Sequence, residues 1–367
     1  MGLIVETNMI HHGFDGETCF VHLRGDRVKE DGYVMTSQKL TLSGCDLFGP
    51  LHSMKSCDGV FWTEPEAEQA FLERMEDGQH LFCCDFTPAF HQKTGKLLGI
   101  GHTTRYDDAG VIAVPRRRDT CYSVYDDAAG HFGEWRTVAM PDEDFYLDCG
   151  AGSAQRFDLP NGDILLPLYF KAPGDSFYQS AVLTLGFDGR LLETKEISSP
   201  VCVDSEHRGA YEPSITFADG RYFMTLRTDA KGYVCVGDTP SSFDTVKPWQ
   251  WETGEEIGNY NTQQHFVTLN HHLYLVYTRR GLHNDHVFRH RAPLLIARVD
   301  TRRLCLIRET ETAVVPQRGA RLGNFGVSQL GENEAWVTVT EWMQPIGCER
   351  FGSDNAFYIA KISEDPA

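Results

Sequence analysis

Residues 213–227 read Pro-Ser-Ile-Thr-Phe-Ala-Asp-Gly-Arg-Tyr-Phe-Met-Thr-Leu-Arg, and this stretch decides the fold class. Two segments rich in apolar and β-branched residues, 213–217 and 222–227, flank the pair Asp219-Gly220. Asp-Gly favours the tight turns that join antiparallel strands, because glycine takes a positive φ at little steric cost. The stretch therefore predicts a β-hairpin.

The same pattern of strand, polar turn and strand occurs six times along the chain. The first strands of these hairpins begin near residues 18, 86, 154, 213, 264 and 325. Six four-stranded units at this spacing predict an all-β fold, a six-bladed β-propeller, with seven blades as the alternative.

One segment interrupts the strand pattern. Residues 64–76, EPEAEQAFLERME, carry apolar side chains at helical spacing and a proline near the start. We expect a short helical insertion between strands there. No Pro/Gly/Ser linker divides the chain, so residues 1–367 are predicted to form a single propeller domain.

Composition excludes several classes of function. The chain has 34 Lys+Arg against 52 Asp+Glu, a net charge of -18. Nucleic-acid binding needs a basic face that displaces counterions, so we expect no nucleic-acid partner. No stretch approaches 18 consecutive apolar residues, and we expect no membrane partner either. Nothing in the sequence indicates an oligomeric state.

The cysteines and the N-terminus bear on the compartment. The 11 cysteines are irregularly spaced and form no CxxC pair, which favours buried thiols over a disulfide framework. The first residues, Met-Gly-Leu-Ile-Val-Glu, carry no basic region or long apolar run typical of a signal peptide. We therefore expect a cytoplasmic location. No convincing Cys/His spacing for zinc is present, and we expect no metal and no cofactor.

An Asp-box turn and three further segments resemble the sialidase-like β-propellers. Residues 56–62, SCDGVFW, match the S-x-D-x-G-x-x-W turn called the Asp box, with one residue deleted. Residues 152–169 and 325–330 resemble a sialidase strand pair and the inner strand of the last blade. Residues 212–227 resemble the strand pair that supplies a sialidase's active-site Glu and one carboxylate-binding Arg. The resemblance thus implies those roles for Glu212 and Arg227.

The sequence departs from the sialidases at two places. Where the resemblance implies a nucleophilic Tyr, the chain has Asn324 and Phe325, and the early Arg-Ile-Pro motif is absent. Propeller lyases and rhamnosidases of this fold that act next to uronic acids use a His instead. By that resemblance, His102 is the candidate for such a role.

Hairpin geometry predicts which residues meet on one face of a propeller. The first strand of each blade starts, and the second strand ends, near the central axis on the same face. The second strands then contribute Gln38, His102, Tyr169, Arg227, Arg279 and Glu341, and the first strands contribute Asp85, Ser153, Tyr211, Glu212, Gln264, His265, Asn324 and Phe325.

Three members of this face are candidate catalytic residues. The Glu212 carboxylate beside the Tyr211 phenol is able to take the phenolic proton or to act as a base itself. His102 is the candidate acid or base, because imidazole titrates nearest neutral pH. The alternatives are an exposed Glu before the turn-forming Pro213 and a hydrogen-bonded wall histidine.

The candidate substrate-binding residues are mainly cationic. Arg227 is expected to bind a carboxylate through its guanidinium fork, with a structural salt bridge as the alternative. The loop 279–291 is rich in Arg and His although the chain is acidic, and it is expected either to bind an anion or to pair with the surplus acids. Residues 116–118, three arginines, are expected to be an exposed charge run. The full set of predicted binding residues is Arg105, Arg227, His265, Arg279, His286, Arg289 and Arg321.

Two hypotheses of function follow. The first is a carbohydrate-active enzyme, an exo-acting glycoside hydrolase that cleaves a glycosidic bond at an acidic sugar, with a uronate-cleaving lyase as the alternative. The expected partner is an acidic oligosaccharide or glycoside. The second hypothesis is a non-catalytic propeller whose arginines bind a sugar or a protein partner.

Overall fold

A computed structural model describes residues 2–29, 32–42, 46–203, 208–259, 262–286, 289 and 291–365. Within these ranges the strands form six antiparallel sheets, the blades of a propeller. The first strand, β1 (Leu3–His11), belongs to the last blade. Blade 1 consists of β2 (Thr18–Lys29), β3 (Gly32–Thr41), β4 (Phe48–Ser56) and β5 (Glu66–Ala67).

The other blades follow in chain order. Blade 2 consists of β6 (Arg74–Glu76), β7 (Gln79–His91), β8 (Lys96–Tyr106), β9 (Thr120–Asp126), β10 (His131–Phe132) and β11 (Arg136–Thr137). Blade 3 consists of β12 (Asp148–Gly150), β13 (Phe157–Asp158), β14 (Ile164–Lys171), β15 (Gln179–Phe187) and β16 (Leu192–Ile197).

Blades 4 to 6 complete the ring. Blade 4 consists of β17 (Tyr211–Ala218), β18 (Arg221–Arg227), β19 (Gly232–Gly237) and β20 (Thr245–Pro248). Blade 5 consists of β21 (His265–Leu269), β22 (His272–Tyr277), β23 (Leu294–Asp300), β24 (Cys305–Leu306) and β25 (Thr312–Val315). Blade 6 consists of β26 (Arg321–Leu322), β27 (Gly326–Gly331), β28 (Glu334–Trp342) and β29 (Phe357–Glu364), with β1 at its edge.

The six-bladed prediction is confirmed, and the alternative of seven blades is wrong. Each predicted hairpin is the inner pair of strands of one blade, for example β17 and β18, which pair from Tyr211 and Arg227 down to Ala218 and Arg221. In blades 3 and 6 the inner strand is split into two short pieces.

Apolar clusters fill the spaces between neighbouring blades. Val267 and Val276 of blade 5 pack with Val337 and Ile362 of blade 6, and every one of these side chains is buried. Strands buried on both faces produce this arrangement, because each blade contacts a neighbour on each side. The core is therefore a ring of interfaces around the axis.

The predicted helix at residues 64–76 is wrong. The segment forms β5, a 3-10 turn at Gln69–Phe71 and β6. Glu68 is buried, and its carboxylate accepts hydrogen bonds from Ser53 Oγ (2.5 Å) and from the backbone N–H of Phe132 (3.1 Å). Phe71 is buried against Phe86 and Phe132. These contacts with blades 1 and 2 outweigh the helical propensity of the segment.

The described residues contain no α-helix, only 3-10 turns at Gln69–Phe71, Arg308–Thr310 and Cys348–Phe351. No helix in these ranges is long and apolar enough to cross a membrane. The ten described cysteines are free thiols, and eight of them are buried.

The turn at residues 56–62 is held by side chains, as its sequence predicts. Ser56 Oγ accepts a hydrogen bond from the backbone N–H of Gly59 (2.8 Å), and Asp58 Oδ1 accepts from the backbone of Val60 (2.8 Å) and Phe61 (2.9 Å). Gly59 is required there, because a Cβ would lie 2.4 Å from the Trp336 ring and φ is +67°. The turn thereby fixes blade 1 against blade 6.

Blade 6 joins the two ends of the described chain. β1 pairs with β29 from Leu3 and Glu364 to His11 and Phe357. The Glu364 side chain is 1% exposed and is bound by Tyr274 Oη (2.5 Å), His272 Nδ1 (2.7 Å) and Asn270 Nδ2 (3.1 Å) of blade 5. One buried carboxylate thus ties the closing blade to its neighbour.

We predict that Glu364→Gln destabilises the protein by about 1–2 kcal/mol at neutral pH, because a buried charged acceptor is lost. Burial by itself raises the pKa of Glu364. The hydrogen bonds from Tyr274, His272 and Asn270 lower this pKa by more than burial raises it, so that it lies below its ordinary value. The stabilisation is therefore present above the unfolded-state pKa and is lost as the pH falls through the lower folded-state pKa.

Denaturant unfolding of both proteins across acidic and neutral pH measures this effect. The difference between them should shrink below about pH 4. Glu193→Gln, on the exposed edge strand β16, is the matched control. An equal loss of stability at every pH would contradict the assignment.

Candidate functional site

A cavity of about 120 Å³ opens at the axis, on the face where inner strands begin and second strands end. Its lining is polar and rich in charge. The lining includes six arginines (Arg116, Arg118, Arg208, Arg227, Arg289, Arg291), three carboxylates (Asp46, Asp85, Glu212), three tyrosines (Tyr169, Tyr178, Tyr211), two histidines (His22, His102), Asn324 and Trp342.

Residues in the left-handed conformation bring polar side chains to the axis in four successive blades. His22, Asp85, Ser153 and Glu212 have φ between +49° and +61°. Three of them lie where the register between inner and second strand shifts, as in a β-bulge. Such a conformation costs a non-glycine residue about 1–3 kcal/mol and is typical of functional sites.

Buried ion pairs and hydrogen bonds form the floor of the cavity. Arg24 is 1% exposed, and its Nη2 donates to Ser153 Oγ (2.7 Å) and Asp85 Oδ1 (3.2 Å). Ser153 Oγ donates to Asp85 (2.5 Å) and accepts from Asn324 Nδ2 (2.7 Å). Arg291 Nη1 donates to Asn324 Oδ1 (2.6 Å). The chain of bonds joins side chains from five blades.

Asp85 is ionised at the centre of this floor. Burial by itself raises the pKa of the Asp85 carboxyl group. The nearby His22 and Arg24 lower this pKa by more than burial raises it, so that it lies well below the ordinary value. Asp85 is therefore a fixed negative charge that holds Arg24 and His22, and it has no proton to donate at neutral pH.

The blade 4 wall combines a phenol, two arginines and two carboxylates. Arg227 Nε donates to Glu212 Oε2 (2.8 Å). The Tyr211 hydroxyl accepts from Arg208 Nη2 (2.5 Å) and from Arg227 Nη1, and it donates to Asp229 Oδ1. The expected contact between the Glu212 carboxylate and the Tyr211 hydroxyl is thus replaced by one with Asp229.

The Tyr211 hydroxyl keeps its proton at neutral pH. Burial raises its pKa, and the positive charges of Arg227 and Arg208 only partly offset that rise. Its hydrogen bond leads to the Asp229 carboxylate. Burial raises the pKa of Asp229, but the hydrogen bonds from Arg208 and Tyr211 and the nearby positive charges together outweigh burial and hold that pKa well below its ordinary value, so Asp229 is ionised.

His102 lies in the part of the wall that blade 2 forms, packed against glycine backbone of blade 3. A Cβ at Gly152 would lie 2.0 Å from His102 Nδ1, and one at Gly150 would lie 2.8 Å from its Cβ. Nε2 is 3.8 Å from Asp85 Oδ2, and Nδ1 has no hydrogen-bond partner among the described residues. Burial, and then the charge of Arg118, hold the pKa of His102 well below its usual range. The imidazole is therefore neutral at pH 7.

The sequence predicts that Arg118 belongs to an exposed charge run, and for this residue the prediction is wrong. It is 3% exposed, and its Nη2 contacts Tyr178 Oη (2.9 Å) and Asp148 Oδ1 (3.0 Å). Its guanidinium carbon lies 4.7 Å from the centre of the Tyr169 ring. The carboxylate of blade 3 draws this arginine of blade 2 into the cavity wall.

Five of the predicted site residues line the cavity: Glu212, Tyr211, His102, Arg227 and Arg289. The other five predicted residues lie outside the lining. Arg105 pairs with Glu76 (3.3 Å) and Asp119 (3.4 Å) beside a separate groove, because it is three residues from His102 on the same strand and faces the other way.

Arg279 and His265 are held by structural contacts instead. Arg279 forms a bidentate pair with Glu311 (2.7 and 2.6 Å). His265 is buried with its Nδ1 2.6 Å from Ser214 Oγ, and burial lowers its pKa to about 3.

Arg321 and His286 do not line the cavity. The Arg321 guanidinium stacks 4.2 Å from the centre of the Trp342 ring, behind the residue that does line the cavity. His286 is exposed in the loop after β22.

The sequence interpretation missed several lining residues as site candidates: His22, Asp46, Arg116, Arg118, Tyr178, Arg208 and Arg291, and with them Asp229 behind Tyr211. Most of them lie in loops that follow second strands, where no alternation pattern predicts direction. Arg291 had a signal, because it ends the basic loop. No group of three or more His, Cys, Asp or Glu side chains suited to a metal ion occurs in the described part of the chain.

Comparisons with known proteins identify the fold. No family model matches the chain, and no curated protein does. A protein of unknown function from Dyadobacter fermentans is similar in structure, with TM-score 0.70 and 15% identity over 99% of this chain and 100% of that one.

Sialidases are also similar in structure. Trypanosoma rangeli sialidase in complex with the inhibitor DANA gives TM-score 0.64 and 12% identity over 97% of this chain, which spans 59% of the sialidase chain. A Hadza microbial sialidase gives TM-score 0.63 and 10% identity over 93% of this chain and 65% of that one. With six blades and these neighbours, the chain has the sialidase-like β-propeller fold.

Proposed function

We propose that this protein is a glycoside hydrolase that cleaves a glycosidic bond at an acidic sugar. The observation that carries the proposal is that Arg227, Arg289 and Arg291 line one cavity with Tyr211 and Glu212. Guanidinium groups match the geometry of a carboxylate and bind it with directed hydrogen bonds. A catalytic wall and an anion-binding wall thus share one small space.

The electrostatics of Arg291 support an anionic ligand. Burial, and after it the positive charge of Arg227, lower the pKa of Arg291 to about 9. Positive charge is therefore crowded at this wall, and a carboxylate placed there relieves the repulsion. The similarity to a Trypanosoma rangeli sialidase solved with sialic acid agrees with an acidic sugar as ligand.

Tyr211 is the proposed nucleophile. As its oxygen attacks the anomeric carbon, its proton passes to Asp229 Oδ1, to which it is already hydrogen-bonded. Arg208 and Arg227, which both donate to the same oxygen, stabilise the phenolate character that develops. Glu212 positions Arg227 through its bond to Nε.

The leaving-group oxygen needs a proton from the other side of the cavity. Asp46 lies on the loop after β3 and is the most exposed of the three lining carboxylates. It is the proposed proton donor, because the other two lining carboxylates are already held by arginines, Asp85 by Arg24 and Glu212 by Arg227. Water would then attack the anomeric carbon and give its proton to Asp46, while the bond from the sugar to the Tyr211 oxygen breaks and Asp229 returns the proton to that oxygen.

We predict that Asp229→Asn lowers kcat by about 10²- to 10⁴-fold, because the proton of Tyr211 loses its acceptor. Tyr211→Phe should abolish turnover, and both variants should keep binding the acidic sugar. The measurement is the release of reducing ends from sialosides, uronate oligosaccharides and aryl glycosides by the purified protein.

Asp244→Asn, an exposed change in the loop before β20, is the control for Asp229→Asn. Normal turnover by Tyr211→Phe would rule out the nucleophile. Absence of turnover in the wild type, together with sugar binding that Arg227→Ala abolishes, would support the binding-module hypothesis instead.

A second candidate reaction, β-elimination next to a uronate carboxylate, is favoured by the state of His102. A neutral buried imidazole is able to take the proton beside the carboxylate, and arginines neutralise the charge that develops. Tyr211, whose pKa is raised, would return a proton to the leaving oxygen. The product would be an unsaturated uronate with ultraviolet absorbance.

Elimination and hydrolysis predict different results for His102→Ala. Under elimination, the variant should lose at least about 10²-fold in the rate of absorbance increase, since the base is gone. Under hydrolysis by Tyr211, reducing ends form without absorbance, and His102→Ala should impair turnover less than Tyr211→Phe.

The packing of His102 gives a further prediction. Gly152→Ala should displace the imidazole, because the new Cβ would lie 2.0 Å from its Nδ1 and 2.8 Å from the Asp85 Cβ, and kcat should fall. Gly133→Ala is the control, since its Cβ would be 3.6 Å from the nearest atom, an ordinary contact. Full activity of Gly152→Ala would show that the position of His102 does not matter.

A further inference from the structure

We propose that Arg116 and Arg118 form a second anion-binding subsite, so that the substrate carries a further anionic group, a sulfate ester or a second carboxylate. This inference rests on the proposed function, since it specifies which class of acidic sugar the same cavity takes. The first anionic group is the one assigned to Arg227, Arg289 and Arg291.

Arg118 and Arg227, one from each group, stack on different rings of one cluster of tyrosines. The centre of the Tyr169 ring is 6.1 Å from that of Tyr211 and 5.7 Å from that of Tyr178. Arg118 stacks on Tyr169 at 4.7 Å, whereas Arg227 stacks on Tyr211 at 4.0 Å. A sugar that lies over the rings would therefore present one edge to each group.

Arg118 has a donor left to offer. It is 3% exposed, its Nη2 is used by Tyr178 and Asp148, and its Nε has no hydrogen-bond partner among the described residues. Leaving a buried charged donor unsatisfied is unfavourable, so an acceptor from a ligand would be stabilising.

The positive charge of Arg116 is available to bind an anionic group of a ligand. It lines the cavity and is exposed, and no ion pair joins it to any residue in the described ranges. Its neighbour Arg117 differs, because it pairs with Asp119 (3.7 Å) and lines a separate groove. Two adjacent arginines thus provide a test residue and its control.

The charges around the cavity favour more than one anion. Six arginines line it against three carboxylates, of which Asp85 is already bound by Arg24 and Glu212 by Arg227. Two further carboxylates, Asp148 and Asp229, pair with the lining arginines Arg118 and Arg208. The lowered pKa of His102, caused first by burial and then by Arg118, is consistent with positive potential on this side. One carboxylate on the blade 4 and 5 side leaves the Arg116 side without an anionic ligand.

The test compares ligands that differ by one anionic group. The probes are methyl glucuronoside and its 3-O-sulfate, methyl sialoside and its 8-O-sulfate, and a diglucuronide with a carboxylate on each sugar. Calorimetry measures the Kd of each for the wild type, Arg116→Gln and Arg117→Gln.

We expect the second anionic group to tighten binding by about tenfold or more in at least one series. Arg116→Gln should bring that ratio close to one, and Arg117→Gln should preserve it. Sulfated and dicarboxylate probes identify which group the subsite takes. Four results would each overturn the inference. They are a ratio of Kd values near one for the wild type, a ratio that Arg116→Gln leaves unchanged, an equal loss of the ratio in Arg117→Gln, and no binding of any probe.

The inference and the proposed function fail in different ways. If a singly charged glycoside is turned over in a way that depends on Tyr211, and a second anionic group does not tighten binding, the proposed hydrolase function holds and the second subsite is ruled out. Preference for the doubly charged probe without turnover would leave the subsite standing and remove the hydrolase.

Discussion

The buried ion pair between Arg24 and Asp85 is the contact on which the rest of the site depends. Removing two charges from water is costly, and the pair is tolerated because Ser153 Oγ accepts a hydrogen bond from Arg24 and donates one to Asp85. Through Ser153 and Asn324 the same network reaches Arg291. The positions of the cavity walls are therefore coupled to one another by a polar network rather than by the apolar clusters between blades.

The cavity is rich in arginine although the protein as a whole is acidic, so the electrostatic potential in the cavity differs in sign from that of the whole molecule. With a net charge of -18 the molecule as a whole repels an anionic ligand. Within a Debye length of the cavity, however, the nearby guanidinium groups dominate the potential. An anion in the cavity would therefore be held by short-range contacts, and added salt should weaken the long-range repulsion more than such buried contacts.

The sequence predicts the fold well and the site in part, for a physical reason. Turn residues such as Asp219-Gly220 and alternating strands are local signals, so the hairpins and the residues at their ends, Glu212, Arg227 and His102, could be found. Arg105 was misplaced because strand alternation turns it away from His102. Arg118 and Asp229 depend on partners in loops or across the blade, and no local pattern encodes such contacts. The prediction of a helix at residues 64–76 was wrong because the hydrogen bonds of the buried Glu68 to neighbouring strands outweigh the helical propensity of the segment.

The pairing of β1 with β29 has a kinetic consequence for the cavity. Partners such as Leu3 and Glu364 lie at opposite ends of the described chain, and contacts of such separation form slowly even though their entropic cost grows only with the logarithm of loop length. Asn324, in the blade that this pairing completes, reaches Ser153 across the axis. The face that carries the cavity is thus complete only when the ring closes, and partly folded chains carry blades without a complete cavity.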